Sequence, residues 1–459
     1  MNITLFILFI FILQGICLIV GGKSSIGMKN QDDYFLAGKG IRFFPLMMTF
    51  LATQVGGGII LGSTEEAYRY GWSVVFYPLG AALGLIALGA GFGRKLYQFK
   101  VSTVAQIFEV VYGSANLKRI ASVLSIVSLF MIFVAQIIAS HKFMISLGVE
   151  NNIWFFAFWG IVIFYTAVGG LKAVVATDII QAAFFAIIFL ICFVFAIFSM
   201  EIPIQAILNH SVTSDDFTVS SGKLYAWLFM PLLFMIIEQD MGQRCFAADA
   251  PKTVSKATLW AGIATLFISM IPVFFGVLAK YMGIEVMPGA SVFMTVIEKT
   301  TSPALTALVG CAILAAIIST ADSLINAISS NLSQDFNWSF LKKESIRASQ
   351  LISAGIAVAG VAFSFYFNNI VDMLIQSYEL SVSCLFIPIF IALFKRKGNM
   401  ISAILSMLFG AIGFVIFKFM PPEEWPKELL SVLLSLGGFY IGEALSWMKK
   451  SQAEVVAAD

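Results

Sequence analysis

An apolar stretch over residues 47–71, long enough to cross a bilayer, contains three consecutive glycines near its middle, Gly56, Gly57 and Gly58. Each glycine costs a helix interior about 1 kcal/mol relative to alanine. Backbone that leaves the helix at membrane depth is tolerated only where protein or a water-filled cavity surrounds it, and its freed carbonyl groups can bind a cation. The glycine run therefore predicts the floor of a binding site. Close helix packing is the alternative, because glycine also lets backbones approach.

The composition indicates a membrane protein. Of 459 residues, 59% are hydrophobic and 12% are charged, whereas soluble proteins average about 25% charged residues. The net charge of +2 gives no reason to expect a nucleic-acid partner. Five scattered cysteines and two histidines offer no metal-binding spacing and no nucleophile–base arrangement. We therefore expect a protein that is not an enzyme and that has no obligate protein partner.

Thirteen apolar stretches are close to the length that crosses about 30 Å of hydrocarbon. These stretches are 3–20, 44–62, 71–92, 119–140, 152–169, 176–199, 224–242, 257–281, 304–331, 348–367, 370–392, 399–419 and 429–447. They predict an all-α polytopic membrane protein whose residues 1–459 form a single transmembrane domain. With the N-terminus outside, about three in four of the 28 Lys and Arg residues fall in inner loops, the bias typical of cytoplasmic loops. We expect a cell-membrane protein with a cytoplasmic C-terminus.

The second and seventh spans carry corresponding irregularities. The second contains the glycine run, and the seventh ends in the polar segment MIIEQDMGQRCF. Interruptions at matching positions of two halves indicate an inverted-repeat transporter that binds its solute between the repeats. Two copies of five helices, at about 44–199 and 224–392, would then form the core. The remaining spans are extra helices at about 3–20, 399–419 and 429–447.

Two carboxylates fall inside predicted spans, where ionisable side chains are costly and usually functional. Asp178 begins the sixth span, where a helix N-terminus would satisfy it equally well. Asp322 lies in the middle of the ninth span and shares one helix face with Ser319, Ser323 and Asn326. Carbonyl, hydroxyl and carboxylate oxygens suit a small hard cation such as Na⁺. The alternative is that these hydroxyls hydrogen-bond neighbouring helices.

Five segments in this order resemble the sodium:solute symporters, a family that includes sugar, proline, pantothenate, sialic acid and choline carriers. The segments are DDYFLAGKG, ATQVGGGIILGSTEEAYRYG, YTAVGGLKAVVATDIIQ, EQDMGQRCFAA and AAIISTADSLINA, and they lie within residues 30–395. The resemblance implies an inverted five-helix-repeat (LeuT-like) core, with one helix before it and two after it. It also implies Na⁺ as the coupling ion.

The resemblance extends to individual ion ligands. The positions that match the family's sodium site are Ala52 and Val55, through their carbonyl groups, and Ala316, Ser319 and Thr320. The positions that match a second site, for a cation or a proton, are Asp178, Ser319, Asp322 and Ser323.

The predicted solute-binding positions border the two irregular spans. They are Gln54, Gly56, Gly57, Ile59, Glu238, Gln239 and Asp240. Ile59 stands where sugar carriers have a polar side chain, which argues against a hexose. Carboxylates facing a cavity favour an ammonium group, because opposite charges 4 Å apart attract by about 4 kcal/mol at an effective dielectric of 20. The alternative is an ion pair of Glu238 or Asp240 with Arg244 that closes the inner end of the span.

These observations predict sodium-coupled symport of a small organic solute into the cell by alternating access. The solute is expected to be an amino acid or an amine, including quaternary amines, and the lipid bilayer is the other partner. A solute-binding membrane sensor and a proton-coupled symporter of the same fold are the alternatives.

Overall fold

The computed structural model describes residues 2–149, 151–199, 205–208, 219–287, 290–336, 345–367, 370–395, 397–420 and 426–456. This part of the chain is built from α-helices with short 3₁₀ and π turns, and an isolated β-bridge pairs Ile41 with Ala248. The helices of five or more residues are α1 (Ile3–Ser24), α2 (Gln31–Leu36), α3 (Phe43–Gln54), α4 (Ser63–Tyr70), α5 (Phe76–Ala87), α6 (Gly93–Tyr97), α7 (Gln106–Tyr112), α8 (Ala115–Ser146), α9 (Asn152–Ser199), α10 (Ser221–Ile237), α11 (Gln239–Ala247), α12 (Pro251–Tyr281), α13 (Val292–Thr300), α14 (Pro303–Asp335), α15 (Ile346–Phe363), α16 (Ile370–Ala392), α17 (Met400–Phe419) and α18 (Lys427–Val456).

Among the described residues, nine helices are long and apolar enough to cross a membrane, or ten if α10 and α11, bent by 44°, are taken together. This count is below the predicted thirteen for two reasons. Asn152–Phe198 is a near-continuous helical stretch that contains two predicted spans, and Gly58–Tyr97 contains one predicted span and the end of another. Two further apolar helices, Phe43–Gln54 and Gln376–Ala392, are short. Non-helical torsions at Gly71 and Gly170 divide the two long stretches. With those divisions, each predicted span lies on chain that is mostly helical.

The central helix of the fold is α14. Of its most apolar window, 83% is buried, more than in any other candidate span of the described residues. Alanine, serine and threonine are frequent in its middle, and such small residues let neighbouring helices approach closely. It packs against α1, α8, α9 and α15.

Both irregular spans bring their breaks to this central helix. The first break is at the glycine run directly after α3, and α3 contacts α14. The second break lies between α10 and α11, and α11 contacts α14. The second break lies at Glu238, whose extended torsions (φ −67°, ψ 134°) separate α10 from α11. Two sets of interrupted backbone therefore border the same buried helix, and this arrangement positions the site.

A turn at Gly170 allows the two halves of α9 to change direction. Its torsions (φ 54°, ψ −156°) lie near a region that is essentially restricted to glycine. A Cβ there would also lie 2.5 Å from the carbonyl oxygen of Tyr34. The Tyr34 side chain is buried, and its hydroxyl donates to the Ala167 carbonyl oxygen at 2.7 Å. Neither the chain nor its neighbour has room to relax.

We predict that Gly170→Ala lowers the free energy of unfolding by about 1–3 kcal/mol, since it combines strained torsions with a backbone clash. The matched control is Gly160→Ala in the same helix, where a Cβ meets nothing within 4 Å. Thermal unfolding of the purified protein in detergent measures both. Equal melting temperatures for the two variants would contradict the assignment of Gly170 as an obligatory turn.

Candidate functional site

The first break releases two backbone carbonyl groups. In a regular helix the amides of Gly56 and Gly57 would donate to the carbonyls of Ala52 and Thr53. Here Val55 leaves the helix (φ −88°, ψ 77°), the Gly56 amide turns to the Gln54 carbonyl, and the Gly57 amide donates to Gln136 Oε1 at 2.9 Å. The carbonyls of Ala52 and Thr53 therefore need partners from elsewhere in the protein.

Hydroxyl groups of α14 provide those partners. Ser319 Oγ donates to the Ala52 carbonyl oxygen at 2.9 Å, and Thr320 Oγ1 donates to the Thr53 carbonyl oxygen at 3.0 Å. The same hydroxyls lie 2.9 Å and 3.2 Å from the Ala316 carbonyl oxygen. The structure thus brings together four of the five residues predicted for the sodium site.

This group of oxygens is chemically suited to Na⁺. Ala52, Ala316 and Ser319 are fully buried, so an ion there would be shielded from water. A hydroxyl group has lone pairs as well as a proton, so rotation of its hydrogen turns the same oxygen towards an ion. Carbonyl and hydroxyl oxygens are the ligands that hard cations prefer. The fifth predicted residue, Val55, is buried where the chain leaves the helix.

The glycines fit both interpretations made from the sequence, the floor of a binding site and close helix packing. A Cβ on Gly56 would lie 2.4 Å from Thr320 Oγ1, and one on Gly57 would lie 3.0 Å from Gln136 Oε1. Glycine is therefore needed for close packing of the break against α14 and α8. The same close approach lets Thr320 reach the released carbonyls, so close packing and the group of oxygens have one origin.

A fully buried guanidinium group lies next to this group of oxygens. Arg244, on α11, is 0% exposed. Its Nη2 lies 2.5 Å from Ser323 Oγ and 3.6 Å from Asp178 Oδ2, and its Nε donates to Thr49 Oγ1 at 2.9 Å. The Thr49 hydroxyl in turn donates to the Asp178 carboxylate. Several oxygens therefore share the charge of Arg244, which a buried cation requires.

These contacts correct the ion pair considered from the sequence. Arg244 meets Asp240 at the backbone carbonyl oxygen, at 3.0 Å, and its ionic partner is the Asp178 carboxylate. The sequence suggested an ion pair between residues close together in the chain, but in the fold α9 lies closer to the guanidinium group. The pair therefore joins the two halves of the core instead of closing the end of one helix.

The residues of the second predicted site are divided between two environments. Asp178 and Ser323 both contact Arg244, a cation of the chain itself. Asp322 accepts a hydrogen bond from the Tyr165 hydroxyl at 3.2 Å, and within the described chain its Oδ1 has no hydrogen-bond partner. A buried carboxylate with an unpaired oxygen is favourable once it holds a proton or a cation.

A cavity of about 30 Å³ borders the two breaks and Thr320. It has room for a few water molecules. Its lining includes four predicted solute-binding side chains and the backbone of one predicted glycine, namely Gln54, Ile59, Glu238, Asp240 and Gly56. The amide of Gly57 is instead bonded to Gln136. Gln239 lies outside this lining, and its side chain accepts from the Val104 amide at 2.7 Å.

Sequence reasoning missed most of the other side chains of the cavity, among them one amide and two tyrosines. Gln136 could have been found, since it is the single amide side chain in the apolar run IFVAQIIAS. Tyr77 and Tyr378 also line the cavity. Nothing in the sequence separates them from the other aromatic residues of a chain with 45 Phe and 12 Tyr.

The chain is similar to known proteins over most of its length. The sodium:solute symporter family matches residues 34–410. The chain belongs to this family. It is 25% identical to the sodium/proline symporter of Haemophilus influenzae over 445 residues, covering 89% of this chain and 87% of that protein. It is 24% identical to the high affinity choline transporter 1 of Mus musculus, covering 89% and 74% of the two chains.

A solved structure shows the same fold. A Na⁺-coupled sialic acid symporter in a substrate-bound outward-open state is superimposable with a TM-score of 0.80 at 16% identity, over 96% of this chain and 97% of that chain. The predicted all-α, LeuT-like inverted-repeat core is confirmed. The family consists of multi-pass membrane transporters, and Na⁺ is its coupling ion, as predicted from the resemblance.

We predict that Ser319→Ala and Thr320→Ala each raise the sodium concentration for half-maximal solute transport by roughly tenfold, the effect of losing one polar ligand. The control is Ser329→Ala, on the same helix, whose buried hydroxyl donates to the Ile325 carbonyl at 2.6 Å. Transport into proteoliposomes over a sodium series measures the effect. If folded Ser319→Ala and Thr320→Ala proteins kept the sodium dependence of the Ser329→Ala protein, the assigned ligands would be wrong.

Proposed function

We propose that this protein uses the inward sodium gradient to carry a small organic solute with an ammonium group into the cell. The observation that supports this best is that one break borders both the oxygens around Ser319 and the cavity. Thr320 belongs to both, because its Oγ1 donates to the Thr53 carbonyl and its side chain lines the cavity. An ion that rearranges these hydroxyls therefore changes the wall against which the solute binds.

The lining of the cavity supports a cationic or zwitterionic solute. Glu238 and Asp240 are buried, at 6% and 1% exposure, and Glu238 Oε2 has no hydrogen-bond partner within the described chain. The ion pair of Arg244 is with Asp178, and Arg244 contacts Asp240 through the backbone carbonyl oxygen. The Glu238 carboxylate therefore keeps one oxygen for a positive group in the cavity. The rings of Tyr77 and Tyr378 line the same space, and aromatic faces attract ammonium groups. Ile59 offers a sugar no hydrogen bond.

Two relatives are consistent with this class of solute. The relatives at 25% and 24% identity are named for proline and choline, and both compounds contain a positively charged nitrogen. Proline has an ammonium group and choline a quaternary one, so the shared chemistry is the cation. Identity at this level supports a solute class and leaves the individual solute to be measured.

The mechanism we propose is alternating access, with the N-terminus outside and the C-terminus in the cytoplasm. The cavity of about 30 Å³ is too small for such a solute, so helices must separate to admit it. Sodium between α3 and α14 would stabilise the outward-open arrangement, and its loss to a low-sodium cytoplasm would allow the inward one. Binding is reciprocal, so the solute tightens sodium binding by the factor that sodium tightens solute binding.

The alternatives differ in one measurable respect each. A proton-coupled symporter would use Asp322, whose carboxylate faces the Tyr165 hydroxyl, and a pH gradient would then drive uptake without sodium. A membrane sensor would bind the solute and fail to exchange labelled for unlabelled solute across proteoliposomes. Counterflow with and without sodium therefore separates all three functions.

We predict that ammonium-bearing solutes raise the melting temperature of the purified protein in sodium and not in potassium, because binding to the folded state stabilises it. A panel of proline, choline, glucose and pantothenate tests this prediction. Glu238→Gln should raise the dissociation constant of the ammonium solute that binds by roughly tenfold. Glu109→Gln is the control, because that carboxylate pairs with Lys118 at the surface. Stabilisation by glucose alone, or equal affinity in Glu238→Gln, would contradict the proposed class.

A further inference from the structure

A second cavity continues from the central one towards the end of the fold that we assign to the outside. The two cavities share Gly58, Tyr77, Leu374 and Tyr378 as a common wall. Beyond that wall the second cavity extends to Glu66 on α4 and Trp227 on α10. It is therefore a vestibule between the outer end of these two helices and the central cavity.

At the outer end of the vestibule, three side chains surround the ammonium group of Lys223. Lys223 Nζ lies 3.9 Å from the centroid of the Tyr70 ring and 4.8 Å from that of Trp227. It also donates to Glu66 Oε2 at 2.9 Å. The two rings meet edge to face, with centroids 5.9 Å apart. Aromatic faces with a nearby carboxylate are the groups that recognise ammonium ligands.

The sequence builds this cage from two helical spacings. Glu66 and Tyr70 are four residues apart on α4, and Lys223 and Trp227 are four residues apart on α10. Residues at this spacing share one helix face, so each helix presents a pair to the other. The cage thus forms where the two helices meet at the mouth of the vestibule.

We propose that this cage is an outer binding site for ammonium solutes, and that Lys223 is its tethered occupant. An incoming ammonium or quaternary ammonium group would take the place of the Lys223 Nζ between the two rings and Glu66. The place of this site on a transport route depends on the proposed function. The preference of the cage for an ammonium group depends on its own geometry.

The exposure of the cage makes such an exchange feasible. The Lys223 side chain is 33% exposed, and the Glu66 side chain is 14% exposed. Lysine–carboxylate pairs near the surface contribute little to stability, so Lys223 can move into solvent at small cost. Trp227 is only 5% exposed and keeps its position in the wall. The cage is therefore more rigid than its occupant.

A solute released from this cage would next meet the shared wall of the two cavities. Tyr77 and Tyr378 offer aromatic faces there, and Glu238 and Asp240 lie on the far side in the central cavity. Two sets of aromatic and acidic side chains are thus arranged in series. A purely structural role, in which Lys223 pins α4 to α10, would need no such continuity and predicts a different result below.

The test measures binding of radiolabelled tetramethylammonium to the purified full-length protein in sodium-free buffer. Lys223→Gln empties the cage and should lower the dissociation constant at least tenfold relative to the unaltered protein. Adding Trp227→Leu should abolish that gain. The matched control is Lys280→Gln, which removes the same charge from a lysine 5.8 Å above the Tyr68 ring, outside the vestibule lining. This control should leave the dissociation constant unchanged.

A second background separates this site from the central one. In the Glu238→Gln background, Lys223→Gln should still lower the dissociation constant of tetramethylammonium. This holds whatever solute the protein transports, because the cage contains neither Glu238 nor bound sodium. The proposal is overturned if folded Lys223→Gln protein binds no more tightly, if Lys280→Gln gives an equal gain, or if Glu238→Gln removes the gain. Should Lys223→Gln fail to fold, Lys223→Met keeps the aliphatic stem and serves the same comparison.

Discussion

A carbonyl group that loses its helical partner at membrane depth needs another partner, which the protein or an enclosed cavity must supply, because lipid offers none. The carbonyls of Ala52 and Thr53 are in this position, and the hydroxyls of Ser319 and Thr320 satisfy them. Sodium would compete for the same oxygens. Either these hydrogen bonds or a bound ion therefore joins α3 to α14. Exchange of one for the other couples ion binding to the relative position of the two helices.

The buried ion pair of Arg244 and Asp178 is a second connection between the two repeats. The guanidinium contacts Ser323, whose hydroxyl also donates to the Ser319 carbonyl at 2.8 Å and lies 3.0 Å from Thr53 Oγ1. One polar network thus joins α3, α9, α11 and α14 around the break. Buried ion pairs add little net stability but cost several kcal/mol when one partner is lost, so this network constrains which helix arrangements are accessible.

Much of this arrangement could be predicted from sequence, because it depends on local signals. Apolar length indicated the helices, the glycine run indicated the break, and the resemblance connected Ala52 with Ser319. The partner of Arg244 could not be predicted, since the ion pair depends on how α9 packs, whereas the sequence suggested Glu238 or Asp240. The cavity tyrosines, Tyr77 and Tyr378, come from opposite repeats and carry no distinguishing pattern. Contacts between distant segments required the fold.

The most direct test is a pair of high-resolution structures of the protein, one determined in sodium and one in potassium. The account predicts density for an ion among the carbonyl oxygens of Ala52 and Ala316 and the hydroxyls of Ser319 and Thr320 in sodium. In potassium the hydroxyls should remain hydrogen-bonded to the carbonyls. Identical hydroxyl–carbonyl hydrogen bonds in both structures, with an ion elsewhere or none, would contradict it.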